Sequence, residues 1–224
     1  MDIVDFHAHI LPRADHGSSS VADSLCQLKM AKECGVGRVV ATPHFYPARD
    51  SVDGFLERRE KSYAVLMDKY DSDGVKIALG AEVLICQGIE DLPGLERLCI
   101  GNSRCILLEL PFNDFEKGYV YSVREMIKRG YNVILAHADR YPEDNISYLI
   151  DCGAKIQLNA EALATVFKNK TLYAWMEMGL VVALGSDIHG RNAAAYKDFL
   201  KAQRKIGKHL DFIKCQSDKM WNSF

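Results

Sequence analysis

The sequence of 224 residues lacks the features of secreted, membrane-inserted and nucleic-acid-binding chains. No apolar run approaches the roughly 18 residues that a transmembrane helix needs, and the first residues show neither the basic segment nor the apolar core of a signal peptide. The net charge is -2, and no lysine- and arginine-rich tract is present to hold a long polyanion or an anionic membrane surface. We therefore expect a cytoplasmic protein that neither inserts into membranes nor binds nucleic acid.

The seven cysteines are odd in number and form no CxxC pair. Because most of them fall in apolar stretches, we expect buried, reduced thiols rather than a disulfide framework. None of them has an arginine six positions further along the chain, an arrangement that the phosphatases with a nucleophilic cysteine require. Any chemistry on phosphate esters must therefore come from other side chains.

Short apolar runs alternate with longer amphipathic segments along the chain, which predicts βα units around a parallel sheet or barrel. The hydrophobic fraction of 48% suits a single domain over residues 1–224, and no linker rich in proline, glycine or serine divides it. The predicted strands, seven in number, cover residues 3–6, 38–41, 75–81, 105–109, 133–136, 155–158 and 181–184. The predicted helices cover about residues 21–34, 52–70, 120–129, 145–151, 169–178 and 192–206.

Histidines and carboxylates stand at the ends of six of these seven strands. They are His7 and His9 after the first strand, His44 after the second, Glu82 and Glu109 at the ends of the third and fourth, His137 after the fifth, and Asp187 and His189 after the seventh. A lone histidine at a strand end is more often an ordinary polar residue than a ligand, but eight such residues are an unusual coincidence. Because parallel strands of a barrel end on one face, we expect these side chains to converge there.

Imidazole and carboxylate groups are the ligands of zinc, manganese and iron in proteins. Eight of them exceed the three or four that one ion needs, so the sequence predicts a cluster of two or three divalent ions. In His7-Ala8-His9, alternate residues of an extended strand project to the same side, so both rings can reach one ion.

The motifs that carry these residues are Asp5-Phe6-His7-Ala8-His9, Ala41-Thr42-Pro43-His44, Gly80-Ala81-Glu82, Leu108-Glu109-Leu110-Pro111 and Gly185-Ser186-Asp187-Ile188-His189. In this order they resemble the polymerase and histidinol phosphatase (PHP) superfamily. Within it, the sequence is most similar to the manganese-dependent bacterial protein tyrosine phosphatases encoded with capsule and exopolysaccharide genes.

This resemblance implies a distorted, TIM-like (β/α)7 barrel with its active site at the carboxyl ends of the strands. It also implies a trinuclear centre, with manganese favoured over iron or zinc. The implied activity is hydrolysis of phosphotyrosine, and the implied partner is the phosphotyrosine-rich tail of a bacterial tyrosine kinase that controls polysaccharide export. The positions that match the ligands of this family are His7, His9, His44, Glu82, Glu109, His137, Asp187 and His189.

The sequence departs from the family pattern in two places. Asp15-His16-Gly17 replaces the Asp-Asp-Gly stretch that supplies a further ligand, so the resemblance makes His16 a ninth candidate ligand. The stretch from His137 to Tyr141 differs from the family's His-Pro-Glu-Arg-Tyr but keeps Arg140, whose family counterpart binds phosphate. Arg191 is a candidate for a second phosphate-binding arginine.

Other functions remain open on the sequence alone. The same barrel and metals would serve a histidinol-phosphate or other small-molecule phosphatase, whereas a nuclease-type phosphodiesterase is disfavoured because no basic surface is present. If the altered Asp15-His16-Gly17 stretch marks a degenerate site, the chain is a non-catalytic metal-binding protein. Aromatic residues that would form a platform for a tyrosyl ring, or serve as core and loop anchors, are Phe45, Tyr46, Phe112, Phe115 and Tyr141. The sequence leaves the oligomeric state open.

Overall fold

The computed structural model describes residues 3–71, 74–112, 114–165 and 169–223. The other positions of the predicted domain, at both termini and at 72–73, 113 and 166–168, lie outside the described residues. Within the described ranges the strands are β1 Ile3–Ala8, β2 Val36–Ala41, β3 His44–Phe45, β4 Lys76–Leu79, β5 Glu82–Leu84, β6 Cys105–Glu109, β7 Asn132–Leu135, β8 Lys155–Asn159 and β9 Val181–Gly185. The helices are α1 Val21–Glu33, α2 Val52–Met67, α3 Lys117–Lys128, α4 Glu143–Asp151, α5 Ala160–Ala164, α6 Lys170–Glu177, α7 Ala193–Ile206 and α8 His209–Trp221.

All the strands belong to one curled sheet in the order β3-β5-β6-β7-β8-β9-β1-β2-β4, and every pairing is parallel. The α/β class and the parallel sheet predicted from the sequence are confirmed. Because all strands run in the same direction, their carboxyl ends lie on one face, where the loops that follow them meet.

The sheet has nine strands in the described residues, two more than predicted, because the short strands β3 and β5 follow the second and third predicted strands. Residue 43 is a proline without an N–H to donate, and it separates β2 from β3. Gly80 and Ala81 separate β4 from β5. The prediction that Glu82 ends the third strand was therefore wrong, since Glu82 begins the short strand β5.

Side chains from the two faces of the sheet enter two different hydrophobic clusters. In β6, Ile106 and Leu108 belong to the larger cluster, which contains the buried residues of the helices. Cys105 and Leu107, which alternate with them, belong to a smaller cluster made almost wholly of strand residues on the concave side. Since alternate strand residues face opposite sides, Glu109 continues the concave row at its carboxyl end.

Capping residues visible in the sequence begin several of the helices. The side chains of Ser20 and Ser51 accept hydrogen bonds from N–H groups in the first turns of α1 and α2, at 3.2 and 3.1 Å. Asn169 and Asn192 do the same for α6 and α7, at 3.0 and 3.1 Å. These caps satisfy N–H groups that a helix leaves without internal partners.

The last helix, α8, was not predicted from the sequence. Its Met220 and Trp221 pack against the concave hydrophobic cluster, and the Ser217 hydroxyl donates to the carbonyl oxygen of Val182 at 3.0 Å. Asp218 forms an ion pair with Arg38, near the beginning of β2. The helix therefore lies at the amino ends of the strands, opposite the face where the loops meet. None of the helices in the described ranges is long and apolar enough to span a bilayer.

Candidate metal centre

Eight of the nine predicted ligands come together at the carboxyl ends of the strands. They lie in or directly after β1 (His7, His9), β3 (His44), β5 (Glu82), β6 (Glu109), β7 (His137) and β9 (Asp187, His189). Six are buried, and the side chains of Asp187 and His189 are 5% and 32% exposed. The convergence predicted from the strand-end pattern is thus present in the structure.

The carboxylate of Glu82 lies at the centre of this cluster. Its Oε2 is 3.2 Å from Nε2 of His7, 3.3 Å from Nε2 of His9 and 2.9 Å from Nδ1 of His44. Its Oε1 is 2.7 Å from Nε2 of His137. One fully buried carboxylate therefore touches two imidazoles carried by strands, His7 and His44, and two carried by the segments after β1 and β7, His9 and His137.

The residues fit a group of divalent ions. Three sets each offer ligand atoms that lie within 4.8 Å of one another: His9, His44 and His189; His7, His9 and Glu82; and His44, Glu82 and Glu109. Within the described part of the chain, several of these buried atoms have no well-directed hydrogen bond, namely Glu82 Oε2, His44 Nδ1 and His189 Nε2. The lone pairs of these atoms point into the cluster and accept no proton. Imidazole nitrogens and carboxylate oxygens in this state are the ligand atoms that a bound cation would satisfy.

The charges of the cluster are strongly coupled. Burial alone would lower the pKa of His7, but the neighbouring charges of Glu82 and Asp187 raise that pKa to about 9. Burial also opposes the charged forms of His9, Glu82 and Asp187. The contacts of these groups with opposite charges raise the pKa of His9 and hold the pKa values of Glu82 and Asp187 below their usual range. In the absence of a cation, protons on His7 and His9 therefore balance the buried carboxylates.

We expect the thermal stability of the chelator-treated protein to fall as the pH rises from 6.5 to 9. The pKa of His7 is raised in the folded state, so the stability that this proton contributes is complete below pH 6.5 and is lost as the pH passes through about 9. A fall in Tm of several degrees is expected, because about 1 kcal/mol corresponds to about 2–4 °C for a chain of this size. Scanning calorimetry with chelator measures this profile.

The metal-loaded protein provides the control for this prediction. Ions displace the imidazole protons, so their stabilising effect should grow with pH over the same interval. A Tm of the chelated protein that stays level or rises between pH 6.5 and 9 would show that His7 does not carry the additional proton.

The ninth predicted ligand, His16, lies at the mouth of the cluster and is exposed. Its ring stacks on those of His44 and His189, with centroids 4.7 and 4.8 Å away. Like His137 and Asp187, His16 belongs to none of the three ligand sets, but unlike them it forms no ion pair within the cluster among the described contacts. The preceding residue, Asp15, turns inward and accepts from His9 Nδ1 at 2.6 Å. Asp15 thereby orients His9 with Nε2 towards the centre, a role that the sequence did not reveal.

The two predicted phosphate-binding arginines lie in different surroundings. Arg140 borders a cavity of about 400 Å³ beside the cluster and contacts Asp187 Oδ2 at 2.6 Å. Arg191 donates from Nε to Asp23 on α1, and its side chain is 61% exposed. The structure therefore brings Arg140, but not Arg191, against the candidate ligands.

Two candidate ligands have left-handed backbone conformations, which cost a non-glycine residue free energy. These are His137, with φ 32°, and Asp187, with φ 49°. Both stand where the chain turns sharply after a strand. Such strain persists where the surrounding structure enforces it, and here it aims two side chains at the cluster.

Sequence reasoning missed two buried amides on β8, the one predicted strand without a ligand at its end. Gln157 and Asn159 are 0% and 3% exposed, and they alternate with Ile156 and Leu158 along the strand. This alternation of polar and apolar residues in a central strand was a signal that both amides face the site.

The fold and the site together define an α/β protein with a candidate metal centre at the carboxyl ends of a curled parallel sheet. The chain belongs to the CpsB/CapC family of capsular polysaccharide synthesis, whose family model matches residues 3–217. This membership agrees with the resemblance to the PHP superfamily and its capsule-associated tyrosine phosphatases.

Three known proteins illustrate the similarity. Tyrosine-protein phosphatase YwqE of Bacillus subtilis is 26% identical in an alignment of 230 positions, gaps included, which covers 94% of this chain and 88% of YwqE. The putative tyrosine-protein phosphatase CapC of Staphylococcus aureus is 29% identical in an alignment of 231 positions, which covers 92% of this chain and 90% of CapC. A solved structure from work on YwqE and Streptococcus pneumoniae CpsB, described as unique metal-dependent tyrosine phosphatases, shares the fold with a TM-score of 0.78 at 22% identity, over 97% of this chain and 93% of that one.

Proposed function

We propose that this protein is a metal-dependent protein tyrosine phosphatase, acting on a tyrosine kinase of polysaccharide synthesis or export. The observation that carries the proposal is the convergence of eight candidate ligands, six of which form the three ligand sets, beside a cavity that Arg140 borders. The names of the relatives supply the substrate class. A kinase tail in the cytoplasm would be the partner, and the phosphatase would act there.

The number of strands in the barrel and the extent of the domain form part of the same proposal. We count β2 with β3, and β4 with β5, as single interrupted strands, which gives seven units in one domain over residues 1–224. Backbone hydrogen bonds support this count, because they continue across both interruptions. Gly80 N–H donates to Ala41 at 2.9 Å, and Glu82 N–H donates to Pro43 at 3.1 Å.

The proposed ligands of two or three divalent ions, manganese favoured, are the eight converging residues, with His16 as an additional donor at the mouth. Such ions would polarise the phosphoryl oxygens and lower the pKa of an attacking water. The protein's own contribution is to place the phosphate. Arg140 borders the cavity and presents a fixed fork of donors that suits phosphate oxygens. Arg191 stays a predicted second phosphate ligand.

Some aromatic residues near the site serve as anchors. Phe45 is fully buried and packs edge-on against Phe55, and Phe115 packs edge-on against Tyr119. Tyr46 is half-buried and stacks on His44, with ring centroids 5.2 Å apart. The two remaining members of the predicted platform, Phe112 and Tyr141, form a different arrangement.

Phe112 offers an exposed ring that is separated from the candidate ligand His137 by the ring of Tyr141. The Tyr141 ring lies 5.6 Å from that of His137, and its hydroxyl donates to the carbonyl oxygen of Leu110 at 2.8 Å. The Phe112 ring lies 5.8 Å from that of Tyr141 and is 62% exposed. The three rings thus lead outward from the centre, and the outermost has a free face for a substrate ring.

We expect Phe112→Ala to raise KM for a phosphotyrosine peptide about three- to tenfold while kcat and metal content stay the same. The lost interaction is one aromatic contact, and ring pairs contribute about 0.5–1.5 kcal/mol. Steady-state kinetics on the peptide and on an alkyl phosphomonoester measure the effect, and only the aromatic substrate should respond.

Tyr121→Ala is the matched control, because Tyr121 is another large aromatic side chain, 60% exposed, on α3. Equal losses in the two variants, or an equal loss on the alkyl ester, would remove Phe112 from substrate recognition.

The proposed function is tested by comparing hydrolysis of a phosphotyrosine peptide with that of histidinol phosphate, each with added manganese and with chelator. Chelator-sensitive turnover that favours the peptide supports the proposal. A preference for histidinol phosphate would keep the chemistry but replace the substrate. Bound metal without turnover of either ester would indicate a non-catalytic metal-binding protein.

A further inference from the structure

Two buried amides on β8 connect residues that three other segments contribute to the metal centre. Oε1 of Gln157 lies 3.1 Å from Nδ1 of His7 and 2.7 Å from the backbone nitrogen of His137. Its Nε2 donates to Oδ1 of Asn159 at 2.9 Å, and Nδ2 of Asn159 donates to Oδ2 of Asp187 at 3.3 Å. The chain of hydrogen bonds therefore runs from β1 and β7 to the loop after β9.

The orientation of the Gln157 amide follows from its contact with the main chain. A backbone N–H can only donate, so the Gln157 atom that faces His137 N is the carbonyl oxygen. Because this oxygen only accepts, Nδ1 of His7 must carry the proton of their shared hydrogen bond. In a neutral imidazole the other nitrogen, Nε2, then has the free lone pair.

The free nitrogen of His7 points to the centre of the candidate site. Nε2 of His7 lies 3.2 Å from Oε2 of Glu82 and 3.6 Å from Oδ1 of Asp187. The Gln157 hydrogen bond therefore presents the nitrogen that can bind a cation to the side where the carboxylates are.

The amide of Gln157 packs closely against Gly185 and His7. A Cβ added at Gly185 would lie 2.5 Å from Nε2 of Gln157 and 2.6 Å from Cβ of His7. The backbone N–H of Asn159 donates to Asp139 at 2.7 Å, which fixes the end of β8. Since both amides are almost completely buried, water does not compete for their hydrogen bonds.

We propose that Gln157 and Asn159 are positioning residues, which set Nε2 of His7 as its ligating nitrogen and hold Asp187 at the metal centre. The proposal rests on the proposed metal centre and is independent of the substrate. Its tests measure metal binding and nitrogen protonation without turnover, so its failure is distinguishable from a failure of the proposed phosphatase activity.

The direct test is nitrogen-15 NMR of the wild-type protein loaded with zinc, which is diamagnetic. The expected spectrum shows His7 protonated on Nδ1 and coordinated through Nε2. A His7 that is coordinated through Nδ1, or that is not coordinated at all, would overturn the proposal without the use of any variant.

Variants then measure the size of the effect. Gln157→Leu keeps the approximate volume but removes the acceptor, and it should weaken metal binding about 10- to 100-fold in a competition titration with a chelator. Gln157→Glu keeps an acceptor for both His7 and His137, so it should retain most of the affinity. The same glutamine-to-leucine change at Gln203, on α7, is the matched control.

A merely structural role would lower the Tm of Gln157→Leu and Gln157→Glu alike and leave the affinities of the folded proteins unchanged. Wild-type affinity in Gln157→Leu, or an equal loss in Gln203→Leu, would overturn the proposal. If Gln157→Leu does not fold, the spectrum of the wild-type protein decides alone.

Discussion

Replacement of Glu82 by glutamine is expected to disrupt the metal centre and to lower kcat/KM for a phosphotyrosine peptide by at least about a thousandfold, or about 4 kcal/mol. Glu82 touches four of the candidate imidazole ligands, and two of the three ligand sets contain it. An amide carries no charge and turns one donor group towards the imidazoles. The ions would therefore lose their central anionic ligand.

Metal content and turnover together test this expectation. Elemental analysis after reconstitution with manganese should show fewer ions per chain in Glu82→Gln than in the wild type. The matched control is Glu90→Gln, because Glu90 is also a buried glutamate, 7% exposed, but lies in a turn of 3-10 helix at Ile89–Asp91. A Glu82→Gln protein with full metal content and full turnover would refute the proposed ligand set.

Since Glu82 balances the charges of His7 and His9 in the metal-free state, its replacement also changes stability. Removing one partner of a buried ion pair typically costs about 3–5 kcal/mol. Unfolding curves of the variant are therefore needed beside the activity, so that loss of fold is not mistaken for loss of metal.

The second large effect is expected for Arg140→Ala, which should lower kcat/KM by about 100- to 1,000-fold. This magnitude follows if Arg140 stabilises charge on the phosphoryl oxygens, because removal of one such donor has that effect in other enzymes. Metal content should stay at the wild-type level. Arg140→Lys should recover only part of the rate, since an ammonium group lacks the planar fork of donors.

Arg191→Ala is the comparison variant for Arg140→Ala, and it tests the remaining arginine prediction. Arg191 pairs with Asp23 on α1 and is mostly exposed, so the structure leads us to expect a loss of less than about threefold. A loss as large as that of Arg140→Ala would restore Arg191 as a phosphate ligand. Loss of metal from Arg140→Ala would instead mean that Arg140 acts by holding Asp187.

The sequence predicted the parts of the site that depend only on strand ends. His7, Glu109 and His137 could be placed on one face because parallel strands share their direction, whatever the details of packing. The short strand β3 was missed, because it has only two residues and follows Pro43, which has no N–H to donate.

Contacts between distant segments could not be predicted from the sequence. The pairing of Arg191 with Asp23 joins residues 168 positions apart, and the contact of Gln157 with His7 joins residues 150 positions apart. Both depend on loop paths and on strand register, which local patterns do not contain. The helix α8 was missed because its place is set by the concave cluster that it covers, which lies far from it in the sequence.

The candidate ligands are drawn from both ends of the chain. Asp5, just before His7, accepts a hydrogen bond from the N–H of Ser186, just before Asp187, across 181 positions of sequence. A ribosome adds about 5–20 residues per second, so the first ligands emerge roughly 10–40 s before the last ones. During synthesis, the nascent chain therefore presents only part of the set of candidate ligands to a cation. If these residues hold the proposed ions, the complete set of donors exists only after the last ligands have been translated, so we expect the ions to load onto finished molecules rather than during the early stages of folding.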